Sequence, residues 1–107
     1  MSASVIGLFE DPVAAQEAAN ELIRRGFRAA AIDVIAGAPV DPEGLVAELE
    51  VRAVSHERAA FYAGEVDRGG ALVITETDEP PGQAAAVLDT HGSLCVECIE
   101  HDRARPV

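Results

Sequence analysis

The chain opens with an apolar run, Ser4-Val5-Ile6-Gly7-Leu8-Phe9, too short for a helix and rich in strand formers, which breaks at Glu10-Asp11-Pro12. Asp11 suits an N-cap and Pro12 a first helical position, so a helix is predicted to start there. Ala15, Ala18, Ala19, Leu22 and Ile23 then fall at i, i+3, i+4, i+7 and i+8, one helical stripe, with Gln16, Glu17, Glu21 and Arg24 on the wet side. Gly26 supplies the left-handed stop. A second strand is predicted over Ala30 to Ala36, closed by Gly37-Ala38-Pro39.

Residues 38–54 have the weakest periodicity. Asp41 before Pro42 resembles another capped start, but Gly44 weakens the helix and limits it to one or two turns. Ser55 is the next clear cap, and Ala59, Tyr62, Ala63 and Val66 form the buried stripe of a helix that stops at Gly69-Gly70. Ala71 to Thr75 reads as a third strand. A further helix starts at Pro80 or Pro81, is striped by Ala84, Val87, Leu88 and His91, and ends at Gly92. Leu94 to Glu100 reads as the fourth strand, followed by a flexible tail over 101–107.

Two β-α-β halves of similar size, joined by a helical insert over 38–68, predict a single α+β domain over 1–107. The expected architecture is a two-layer ferredoxin-like (split β-α-β) sandwich with a four-stranded sheet. A small doubly wound parallel sheet is the alternative. The central strands are apolar on both sides: Ile6 and Leu8 oppose Val5 and Phe9, and Val73 opposes Leu72 and Ile74. A two-layer sandwich leaves one sheet face open, so either the insert covers it or a second copy does. A homo-oligomer, a dimer first, is expected on that ground.

Composition adds exclusions. Nineteen acids face eight bases, a net charge of −11, and every base is arginine. Nucleic acid and anionic membranes select for clustered positive charge, so neither is expected as a partner. The start lacks a basic, then apolar, leader and no apolar run approaches the ~18 residues of a membrane span. A cytoplasmic protein with reduced thiols is expected.

The stretches "VIGLFEDPVAAQEAANELIRRGFRAAAIDVIA" and "HERAAFYAGEVDRGGALVITETDE", followed by "AAAVLDTHG", resemble the bacterial general stress protein, or heat-induced stress protein, domain. The likeness rests on the acidic turn Glu10-Asp11, on Gly26-Phe27 before the second strand, on the Tyr62 helix and on Gly69-Gly70 before the third strand. It covers roughly residues 4–92. It implies a small α+β domain linked to stress responses, and it carries no catalytic motif. The cysteine-bearing last strand and the missing lysines depart from it.

Chemistry-bearing residues are few. Cys95 and Cys98 form a C-x-x-C inside a predicted strand, where residues three apart point to opposite faces, whereas a reactive pair sits at a helix N-terminus. With His101 they read C-x-x-C-x-x-H, but Cys95 and His101 would lie about 20 Å apart along a strand, too far to share an ion. His56, Glu57, Arg58 and Tyr62 are the one grouping of an acid/base candidate, a carboxylate and a phenol. The bland reading is a helix cap with a solvated first turn. Arg24, Arg25 and Arg28 are read as charge balance at a helix end. No calcium loop, phosphate loop or nucleophile triad is present, and no cofactor or metal is expected.

The expected function is therefore a stress-associated domain acting through homo-oligomerisation and protein or small-ligand binding, with His56, Tyr62, Cys95 and Cys98 as candidate ligand or interface residues. A small dimeric enzyme with a pocket between sheet and helices, using Tyr62 and His56, is the alternative. A thiol redox or metal-handling protein using Cys95 and Cys98 is a weaker one.

Overall fold

A computed structural model of the chain describes residues 2–36, 42–78 and 81–101. The elements run β1 (Ser2–Phe9), α1 (Pro12–Arg24), a 3-10 turn (Ala29–Ala31), β2 (Ile32–Ala36), α2 (Pro42–Val51), α3 (His56–Asp67), β3 (Ala71–Thr77), α4 (Gly82–Thr90) and β4 (Cys95–His101). The strands form one sheet in the order β2-β3-β1-β4, and every pairing is antiparallel. The protein is thus α+β, and the parallel alternative does not apply. β1 and β3 are the inner strands, as their unbroken apolar runs require.

Local signals account for most boundaries. Asp11 caps α1 by accepting from the Ala14 N–H at 2.9 Å, and Ser55 caps α3 by accepting from the Arg58 N–H at 3.3 Å. Gly26, Gly69 and Gly92 end α1, α3 and α4 with φ of 100°, 108° and 86°. The proposed cap Asp41, the Gly37-Ala38-Pro39 closure, Pro80 and the tail beyond His101 lie outside the described residues.

Three expectations need correction. Helix α2 runs through ten residues, not one or two turns, because Leu45 and Leu49 (4% and 0% exposed) bury one face and tertiary packing overrides the low propensity of Gly44. It ends without glycine: Ala53 takes φ 72°, with Ala53 N–H donating to the Glu50 carbonyl and Val54 N–H to the Leu49 carbonyl. Ile23 and His91 leave the buried stripes. Ile23 is 44% exposed, and His91 follows the last turn of α4, half-buried.

The two apolar sheet faces are covered by different helices. Val5, Phe9, Ala71 and Val73 pack with Ala15, Ala18 and Leu22 of α1 and Ala84, Val87 and Leu88 of α4. Ile6, Leu8, Leu72 and Ile74 pack with Leu45 and Leu49 of α2, Val54, and Ala59, Tyr62, Ala63 and Val66 of α3. The sheet with α1 and α4 makes two layers, and the insert lies against the opposite face. The open apolar face that pointed to a second copy is therefore filled by the chain itself. Burying a large apolar side chain is worth about 1.5–3 kcal/mol, so Leu45, Leu49, Tyr62 and Val66 make the insert a permanent part of the core.

Candidate functional site

Helix α3 places Arg58 and Tyr62 one turn apart on the side facing β4. The Tyr62 hydroxyl donates to Glu97 Oε1 at 2.7 Å and accepts from Arg58 Nη2 at 2.9 Å, while Arg58 Nε donates to the same Glu97 oxygen at 3.0 Å. The guanidinium also lies 5.4 Å from the centre of the Tyr62 ring. Each member of this triad is thus bonded to the other two. Tyr62 is fully buried, and burial, reinforced by the Glu97 carboxylate, pushes its hydroxyl far above the ordinary phenol range against the lowering pull of Arg58. The phenol is neutral at any physiological pH.

The other residues expected beside Tyr62 lie elsewhere. His56 Nδ1 lies 3.0 Å from Glu50 Oε2, an exposed contact between α3 and the end of α2, and does not join the triad. Phe61, outside that expected grouping, does meet Tyr62: it stacks at a tilt with its ring centre 5.9 Å away and is half-exposed. Glu57 is exposed in the first turn.

The two cysteines part as strand geometry requires. Cys95 pairs with Leu8 and packs, half-buried, against the α2/α3 cluster, whereas Cys98 pairs with Val5 on the opposite face and is exposed. Neither is in a disulfide. Cys95, Glu97 and Ile99 share the face covered by the insert, with Ile99 also packed on that cluster. An interface role for Cys95, one of the candidate interface residues, would turn this set toward another subunit. Instead it meets α3, because the insert occupies the space.

A second clamp, unforeseen in the sequence, joins the insert to the β2 end of the same sheet face. Arg52, just after α2, places Nη1 2.8 Å from Glu76 Oε2 on β3 and Nη2 3.2 Å from Asp33 Oδ2 on β2, with Glu48 at 3.7 Å. Glu76 also accepts from the buried Ser4 hydroxyl at 2.8 and 2.9 Å. Among the described residues the buried Nε of Arg52 meets no hydrogen-bond partner. These contacts tether α2 to β2 and β3 as Tyr62 and Arg58 tether α3 to β4.

One signal could have revealed the first clamp. Glu97 is the charged member of the Cys95, Glu97, Ile99 set, and a carboxylate facing an apolar core needs a cation. Nothing in the local pattern pointed to Arg52. Among the described residues no cluster of three His, Cys, Asp or Glu side chains is placed to hold a metal ion, and no helix is long and apolar enough to cross a membrane. No known protein-family model and no curated protein sequence matches the chain.

Proposed function

We propose that the chain is a stress-associated binding domain on a ferredoxin-like frame, cytoplasmic, acting by contact with a protein partner and not by chemistry of its own. The frame is supported by the strand order, with β1 and β3 inside and each followed by a helix packed on the same sheet face. The link to stress rests on the family likeness over residues 4–92.

The observation that carries the non-catalytic reading is the closed Arg58, Tyr62, Glu97 triad. A general acid or base must reach a substrate, and here the phenol's proton is already committed to Glu97 while its lone pair receives Arg58. The other acid/base candidate, His56, is engaged with Glu50 across the α2/α3 turn.

Charge narrows the partner. Arg24, Arg25, Arg52, Arg58 and Arg68 each pair with a carboxylate of the same chain, so the surface charge left uncompensated is negative. A protein surface carrying Lys or Arg complements it, and polyanions are repelled.

The test is complementation of a gene deletion in the native host under heat, osmotic and oxidative stress. The wild-type chain and a folded His56→Ala/Tyr62→Phe variant should restore survival equally. Loss of complementation by that folded variant would favour the enzyme reading. A deletion with no stress defect would end the stress assignment.

A further inference from the structure

Among the described residues strand β4 is an outer strand of the sheet, paired on its inner side with β1 through seven consecutive positions with no inserted residue. An outer strand leaves a row of N–H and C=O groups that can template another strand, and proteins guard such edges with charged side chains, lysine above all, with proline, bulges or brevity; β4 carries two carboxylates, Glu97 and Glu100. Cys95–His101 contains neither Lys nor Pro, its register with β1 is unbroken, and it is longer than the opposite edge, β2, by seven residues to five. The inward charge that would discourage pairing, Glu97, is already neutralised by Arg58.

We infer that β4 pairs with β4 of a second copy, antiparallel about a two-fold axis normal to the sheet, so that the sheet continues from one protomer into its partner. Opposed residues of an antiparallel pair share a face, so the axis passes through a residue position. The midpoint of Cys95–His101 is Cys98, and that centre alone lets every residue of the strand pair. It sets Cys98 opposite the partner's Cys98, Glu97 opposite the partner's Ile99 and Val96 opposite the partner's Glu100. Moving the centre to Glu97 would oppose two carboxylates, which is unfavourable. Moving it to Ile99 leaves only residues 97–101 overlapping.

The exposed side chain of Cys98 thus sits on the symmetry axis, while Cys95 is turned into the insert of its own protomer. Directly opposed Cβ atoms lie about 4.5–5.5 Å apart, within reach of a short bis-maleimide that adds one thiol at each end. Two copies of charge −11 repel, and salt screens that repulsion over about 8 Å at physiological ionic strength, so association strengthens as salt is added. This dimer goes beyond the binding function above and stands or falls without it, since its assay needs only the purified chain.

The experiment is light scattering of the full chain across concentration at low and raised salt, with bis-maleimide cross-linking of wild type, Cys95→Ser and Cys98→Ser. The expected result is a two-chain species favoured by salt and cross-linked in wild type and Cys95→Ser but not in Cys98→Ser. A Cys98→Asp variant, which opposes two carboxylates on the axis, should dissociate roughly fivefold more readily with an unchanged circular dichroism spectrum. A chain monomeric at every concentration and salt overturns the proposal. So does a dimer that cross-links through Cys95 or is indifferent to Cys98→Asp.

Discussion

The hydroxyl of Tyr62 reaches Glu97 across 2.7 Å, linking residues 35 apart in sequence and fastening α3 to the outer strand β4. A hydrogen bond to a charged group contributes about 1.5–3 kcal/mol, and losing the donor here also leaves Glu97 with Arg58 alone. Tyr62→Phe keeps the ring and should lower unfolding free energy by about that amount, read by urea denaturation. A change smaller than the error of the measurement would mean that Arg58 alone satisfies Glu97.

The same residue sets an alkaline limit. The folded pKa of Tyr62 is raised above its ordinary 10.0 mainly by burial, so the neutral phenol is the form the fold prefers. Its contribution to stability is fully present below pH 10.0 and declines as pH rises from there toward the folded value. Tyr62 is the sole tyrosine and the chain has no tryptophan, so phenolate absorbance reports this one group. The native protein should show little phenolate at pH 10.0, where the urea-unfolded chain is half ionised. On the acid side Glu21, bonded by Arg25 and Arg24, is lowered to about 2; as a depressed carboxylate it favours the fold above 4.5 and loses that effect as pH falls toward 2. NMR titration of its side chain is the check.

Four helix ends share one backbone pattern, and three of them use glycine. Ala53 holds the left-handed position at φ 72° that Gly26, Gly69 and Gly92 hold elsewhere. Ala53→Gly should therefore stabilise the protein by about 1 kcal/mol, and Gly69→Ala should destabilise it by a similar amount. Thermal melting of the two variants should move in opposite directions.

Two other glycines are fixed by space. A Cβ on Gly7 would lie 2.9 Å from Leu88 Cδ1, the movable end of a side chain, whereas one on Gly70 would lie 2.9 Å and 3.1 Å from the Glu65 and Phe9 carbonyl oxygens. Backbone cannot turn aside as a methyl can. Gly7→Ala should cost about 1 kcal/mol and Gly70→Ala about 3 kcal/mol, as chemical denaturation would report.

The Arg52 clamp can be dissected by a double-mutant cycle. Its side chain is 21% exposed and that of Glu76 39%, so solvent screens the pair in part. Arg52→Met should cost about 1–2 kcal/mol, and Arg52→Met in a Glu76→Gln background should cost less. Additive losses would show that the clamp contributes no coupling.

The linear chain determined whatever depends on neighbours a few residues apart. The caps at Asp11 and Ser55, the stops at Gly26, Gly69 and Gly92, the buried faces of α1, α3 and α4 save Ile23 and His91, and the opposed cysteines follow from backbone geometry and a period of 3.6 or 2. So does the demand that both faces of β1 and β3 be covered. Tertiary structure decided what covers them. Leu45 and Leu49 lengthen α2 past Gly44 only because a sheet face waits beneath them, and Arg52 meets Glu76, and Arg58 meets Glu97, across 24 and 39 residues. Which distant carboxylate an arginine reaches depends on how whole elements pack, and no local periodicity carries that information.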